Sequence, residues 1–214
     1  LSDKSAIEWT DATWNPVTGC TKVSEGCRNC YALKFAERFR GTPGHYFEHG
    51  FDIVLRPDKL KLPLTWKKPR RVFVNSMSDL FHEQVPDEFI RQIFAVMGEA
   101  SHHTFQVLTK RPERMKKLMT EWVNEGDFAT LTGTTEPPFP WPNVWLGVSV
   151  ENQQVADARI PLLLQTPAAV RFLSCEPLLG HVSLDRWFGL EHGKEWAECI
   201  CDEIDPTDRP CLTC

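Results

Sequence analysis

No run of about 18 apolar residues, the length a transmembrane helix needs, occurs in this 214-residue chain. The opening LSDKSAIEWTDATWNP lacks both the basic segment and the apolar stretch of a secretory signal. Positive charge is also short: 24 Lys and Arg stand against 29 Asp and Glu, and the net charge of −5 gives no general attraction to phosphate backbones. A glycine-rich phosphate loop is missing, as is a Ser-His-Asp order, so kinase and hydrolase chemistry have no support. Internal repeats and low-complexity tracts are absent too. These gaps set aside a membrane protein, a secreted protein and a general polyanion binder. The expectation is a cytoplasmic protein.

What is present is the balance of an ordinary globular domain, 42% hydrophobic and 25% charged, on a chain long enough for one sizeable core. Four short apolar runs read as strands buried on both faces: 71–75 (RVFVN), 104–109 (TFQVLT), 144–150 (VWLGVSV) and 170–174 (VRFLS). A weaker candidate lies near Trp9 to Trp14. Helical patterns follow the first three runs. Pro86, Asp87 and Glu88 open one helix, with Phe89, Ile90, Ile93, Phe94 and Met97 as its apolar stripe, and Pro112 and Glu113 open the next, carrying Met115, Leu118, Met119 and Trp122. Asn152 can cap a third with Val155, Ile160, Leu163 and Leu164, which Pro161 is expected to bend or end early. This alternation predicts an α/β fold, a parallel sheet with helices packed outside.

Each strand ends in polar residues that a buried strand would not choose. Asn75, Ser76 and Asp79 follow the first, Thr109, Lys110 and Arg111 the second, Ser149, Glu151 and Asn152 the third, and Ser174, Cys175 and Glu176 the fourth. Active sites of parallel sheets and barrels lie at those carboxyl ends. Residues 130–143, with four prolines, read as a surface loop. Beyond Asp185 the apolar pattern dissolves.

Eight cysteines in a reducing compartment suggest metal ligands more than disulfides. Cys20, Cys27 and Cys30 come from one loop, TGCTKVSEGCRNCYA, and leave a tetrahedral site one ligand short. Two metal readings stand. A cluster held by three cysteines keeps one iron open for a small molecule, whereas a structural zinc ion would need a distant fourth ligand such as Cys175 or His45. The loop runs into a helix predicted from Cys30 to Phe39, whose N-terminus favours thiolate, and Gly19 and Gly26 suit close backbone approach. A second group, Cys199, Cys201, Cys211 and Cys214, has the C-x-C-x9-C-x2-C spacing of a closed zinc site, with a second cluster or free thiols as alternatives. His192 is a spare ligand or a loop residue.

The blocks TDATWNPVTGCTKVSEGCRNCYA, RRVFVNSMSDLFHEQVP, HHTFQVLTKRPERM, NVWLGVSVENQ and RFLSCEPLLG, together spanning residues 5 to about 185, resemble the three-cysteine-motif proteins of phages and prophages. That family is of unknown function and is itself similar to radical S-adenosylmethionine enzymes. The resemblance implies a partial or full TIM-like (β/α) barrel of parallel strands, placed as a partial barrel over residues 1–190; residues 191–214 read from their cysteine spacing as a short cysteine-rich, zinc-like element, with an interrupted insertion as the alternative. It further implies a [4Fe-4S] cluster on Cys20, Cys27 and Cys30, and S-adenosylmethionine on the open iron. The product would be a 5'-deoxyadenosyl radical acting on an unknown substrate, with electrons from a donor such as a flavodoxin or ferredoxin. Asn75, Ser76, Asp79, Lys110, Glu151 and Glu176 are the candidates for holding adenosylmethionine or substrate, each with a plain reading as a cap or turn residue. No catalytic residue is named. The chain departs from the usual radical-enzyme pattern in its six-residue first gap and in Asn29, where an aromatic residue is expected, with Tyr31 beyond the last cysteine.

Two other outcomes stay open. One is a zinc-stabilised nucleic-acid-binding protein using Lys67, Lys68, Arg70, Arg71, Trp66 and Trp141. The other is a truncated, inactive fragment, because a full barrel takes ~250 residues.

Overall fold

Short runs rich in Val, Phe and Leu become strands here because β-branched and aromatic side chains suit a pleated, buried surface. The computed structural model describes residues 5, 7–125 and 139–188. In chain order the strands are β1 (Ala12–Trp14), β2 (Val17–Thr18), β3 (Val54–Leu55), β4 (Arg71–Val74), β5 (Thr104–Thr109), β6 (Val144–Ser149) and β7 (Val170–Ser174). The helices described are α1 (Tyr31–Ala36), α2 (Asp87–Glu99), α3 (Pro112–Glu125), α4 (Gln153–Gln165) and α5 (Asp185–Phe188). The chain forms two units, Leu1–Val182 and Ser183–Cys214; of the second, only α5 and the residues just before it are described.

The first unit is a mixed α/β fold around a five-stranded parallel sheet of order β1-β4-β5-β6-β7, while β2 and β3 form a separate antiparallel pair. From β4 to β7 neighbouring strands follow one another in the chain with α2, α3 and α4 between them, and parallel crossovers of this kind are right-handed as a rule, which puts their helices on one face. Register places Trp14, Val74, Val107, Leu146 and Arg171 in one row across the sheet. The first four are fully buried, and Arg171 donates to Leu163 O and Thr166 O at the end of α4, which marks this as the helix-covered face. On the other face lie Phe73, Gln106, Trp145 and Phe172, the first two buried and the others half-buried. The ring of Phe172 occupies the space a side chain at Gly147 would need, 2.6 Å from a Cβ there.

Both proline-led helices open where the sequence places them, and Phe89, Ile90, Ile93, Phe94 and Met97 are buried as expected for α2. Three expectations need correction. The runs at 71–75 and 144–150 give strands one residue shorter, and they are not all buried on both faces: Arg71 is exposed and β7, at the sheet edge, is only half-buried. Secondly, α4 does not stop at Pro161. It continues to Gln165, because Ile160 and Leu163 are buried on either side of the proline and outweigh one missing helical hydrogen bond; Leu164, expected in the stripe, is exposed. Finally, the helix after Cys30 ends at Ala36 and tightens into a 3₁₀ turn, Glu37–Phe39. Most of the proline-rich 130–143 segment lies outside the described residues, although Phe139 and Trp141 at its end are buried. Cys199, Cys201, Cys211, Cys214 and His192 also lie outside them.

Candidate functional site

The three-cysteine loop begins where β2 ends, and backbone contacts fix its start. Gly19 has φ of 89° and donates its N–H to Met77 O at 2.9 Å, while a Cβ there would sit 2.0 Å from Asp52 O. Only glycine fits. Cys20 N then donates to Phe51 O at 3.2 Å. From this start the loop is fastened to the carboxyl ends of three successive parallel strands.

At the tip of β4, Tyr31 Oη donates to Ser76 O at 2.6 Å, and Asn15 Oδ1 accepts from Met77 N at 2.9 Å and from Ser76 Oγ at 3.2 Å. From the tip of β5 comes Arg111, whose guanidinium donates to Cys20 Sγ at 3.5 Å, Thr21 O at 3.1 Å and Thr21 Oγ1 at 2.9 Å. Asp79 steadies that tip: Oδ1 accepts from Thr109 Oγ1 at 2.7 Å, and Oδ2 from Lys110 N at 2.9 Å and Arg111 Nη1 at 3.4 Å. His82, fully buried, accepts from Gln84 N at Nδ1, so its Nε2 donates to Thr21 Oγ1 at 2.8 Å. Burial, then the charge of Arg111, lowers its pKa and keeps the ring neutral.

Just past the tip of β6 stands Glu151, with no exposure to solvent. Its Oε1 accepts from Ser24 Oγ at 2.9 Å and Arg159 Nη1 at 3.2 Å, with Lys110 Nζ at 3.4 Å. Gly26 lies directly against it: a Cβ at that glycine would be 2.5 Å from Glu151 Cγ, Cδ and Oε1. Both glycines of the loop therefore serve close approach, and the atoms approached are those of Asp52 and Glu151.

Of the five buried polar side-chain atoms without a partner among the described residues, three lie near these strand ends. Glu151 Oε2 is one, and Asn75 contributes both amide atoms. Asn75 is 2% exposed and has φ of 61°, a left-handed backbone uncommon outside glycine, held by its N–H on Trp14 O at 2.8 Å. The other two lie elsewhere: Gln106 Oε1 is mid-strand in β5, on the sheet face away from the helices, and His103 Nδ1 precedes that strand. Buried polar groups are nearly always satisfied, so exceptions at one end of a sheet mark where a ligand donor or acceptor belongs.

Cys20, Cys27 and Cys30 are half-buried free thiols. Burial, followed by the charge of Asp79, pushes the Cys20 pKa up to about 11 against the opposing pull of Arg111. The thiolate expectation concerned the helix junction, where Cys30 precedes the six-residue α1; the raised pKa belongs to Cys20, ten residues earlier. Cys27 Sγ lies 3.9 Å from Ser24 Oγ. Among the described residues no three His, Cys, Asp or Glu side chains are gathered closely enough to bind a single metal ion.

A family model described as a protein of unknown function (DUF5131) matches residues 4–202. The chain belongs to that family. No curated protein and no solved structure matches it. For this DUF5131 chain the sequence candidates sort by position. Asn75, Ser76, Asp79, Lys110 and Glu151 stand at the ends of β4, β5 and β6, around the cysteine loop. Glu176, by contrast, is exposed past β7 beside Cys175, which is exposed as well. His45, considered as a distant ligand, stacks on Phe39 at 3.9 Å and accepts from Phe47 N at 3.1 Å. Trp66 and Trp141 are buried, and Arg70 lies over the Trp66 ring.

Sequence reading missed Arg111, Asn15, Thr21, Ser24 and Tyr31 as fasteners of the loop. The one available signal was the Thr109-Lys110-Arg111 run at a strand end, from which Lys110 alone was chosen. None of the helices among the described residues is long and apolar enough to cross a membrane.

Proposed function

We propose that this chain is a cytoplasmic iron-sulfur enzyme of radical S-adenosylmethionine type, generating a 5'-deoxyadenosyl radical on an unidentified substrate. Its family would then be the three-cysteine-motif phage and prophage proteins, and its sheet part of a TIM-like barrel. The observation that carries the reading is the mounting of the cysteine loop. Three free thiols on one loop are fastened over the carboxyl ends of β4, β5 and β6, beside buried polar atoms that have no partner among the described residues. That end of a parallel sheet is where such folds do chemistry.

The donor set suits the group: thiolates are soft ligands for iron-sulfur clusters, and three of them leave one position for a small molecule. Bound there, the cluster and adenosylmethionine supply one-electron chemistry that no side chain can provide. The chain's own residues bind and orient. Glu151 Oε2 accepts an N–H or O–H from a ligand, and the Asn75 amide offers one donor and one acceptor to a polar edge. Lys110, held by Glu151, adds positive charge for a carboxylate. The consecutive strand order supports the barrel, since it winds in one direction without a reversal.

Anaerobic reconstitution with iron and sulfide tests the reading, with metal analysis and EPR of the reduced protein with and without S-adenosylmethionine. The expected result is about four iron and four sulfide per chain, a signal altered by the ligand, and loss of both in Cys27→Ala. Zinc alone, with no cluster and no ligand effect, would overturn it.

A further inference from the structure

Arg111 is 9% exposed, and its side chain spreads over more partners than closing a strand end requires. Nη1 donates to Cys20 Sγ at 3.5 Å and to Asp79 Oδ2 at 3.4 Å, Nη2 to both oxygens of Thr21, and Nε to Glu83 Oε2 at 3.2 Å. The contacts to Asp79 and Thr21 already fix the loop to the β5 tip. The contact to sulfur adds something else: a permanent cation and an N–H aimed at one of the three thiols. Cys27 Sγ, in contrast, faces the neutral hydroxyl of Ser24.

Resting on the iron-sulfur reading above, we infer that Arg111 is a positioning residue that holds Cys20 as a ligand and raises the reduction potential of the bound group through a charge-assisted N–H···S contact. Reduction adds negative charge to the cluster and its sulfurs. A fixed cation and a hydrogen-bond donor at a ligand sulfur stabilise the reduced form more than the oxidised one, and hydrogen bonds to sulfur are among the levers by which proteins set such potentials. Asp79 opposes the effect in charge and serves it in geometry, because its carboxylate keeps the guanidinium beside the sulfur. Glu83 adds a weaker opposing charge, since it is largely in solvent. Lysine cannot replace the arrangement, because one ammonium cannot span Thr21, Asp79, Glu83 and the sulfur together.

The test is an EPR-monitored redox titration of reconstituted wild type, Arg111→Lys and Arg111→Met, compared at measured iron and sulfide content. The midpoint is expected to move to more negative potential in Arg111→Met, with Arg111→Lys between it and wild type. Where Arg111→Met does not load, Arg111→Lys carries the readout. A role confined to fastening the loop would lower iron content or thermal stability and leave the midpoint of loaded protein in place, so an unmoved midpoint overturns the inference while the iron-sulfur reading stands. A wild type that takes up no iron and sulfide overturns both, and shows it before any variant is measured.

Discussion

At the scale of single residues, Cys20 ties the chemistry of the loop to pH. Its pKa lies above the ordinary 9.0, at about 11, so the thiol form favours the folded chain; that contribution is complete below pH 9 and is lost as pH rises through 11. Metal binding must expel the proton, and loading should strengthen as pH rises. In the metal-free protein, alkylation of Cys20 by iodoacetamide, followed by peptide mass spectrometry, should keep accelerating beyond pH 9 and level near 11. A plateau at or below pH 9 would show that burial and Asp79 do not hold the thiol. Gly26 offers a second single-residue test. Alanine there would press on the side chain of Glu151, which is fully buried and held by Arg159 and Lys110, and so cannot easily retreat. Gly26→Ala should cut metal uptake several-fold with the far-UV circular dichroism unchanged, and wild-type uptake would show that Glu151 yields. The cysteines were legible because their spacing has few other uses. Arg111 and Ser24 were not: their contacts reach across 91 and 127 positions, and no local pattern encodes such a meeting.

Secondary-structure elements divide by how much of their pattern lies within one segment. β5 and β7 match their apolar runs residue for residue, and α2 and α3 start where proline and acidic residues signal a first turn. β2 and β3 are two residues each, too short to show a period, and they pair only because Arg56 N reaches Pro16 O and the register sets Val17 opposite Leu55. Between β3 and β4 the chain makes two 3₁₀ turns, Pro57–Lys59 and Leu62–Thr65, which carry no helical stripe to read. α4 was legible at its start and misjudged within. Asn152 Oδ1 accepts from Val155 N at 3.0 Å as its cap, and Asn152→Ala should lower stability by about 1 kcal/mol in urea denaturation with an unchanged m-value. A loss near zero would mean that packing of Ile160 and Leu163 alone sets the helix start.

Across the first unit, the loop's attachment to three strand tips would make the proposed cluster binding a property of the sheet. A group that binds only the folded form raises stability by mass action, and a loop joined to β4, β5 and β6 spreads that gain over all of them. Cluster loading should therefore raise the midpoint of a single thermal transition followed at the backbone. Protection of the loop from proteolysis with an unmoved midpoint would show the loop to be independent of the sheet. Alternation of strands and helices made the parallel sheet foreseeable. The half-buried face bearing Gln106 and Phe172 was not, because exposure on that side depends on what the rest of the fold brings over it. One consequence of the strand order concerns how the chain is made. From β5 onward each strand pairs with the strand emerging just before it, so a chain leaving the ribosome extends its sheet at a single growing edge. Only β1 must wait for a partner, and the cysteine loop is synthesised during that wait, before the strand ends that will hold it exist.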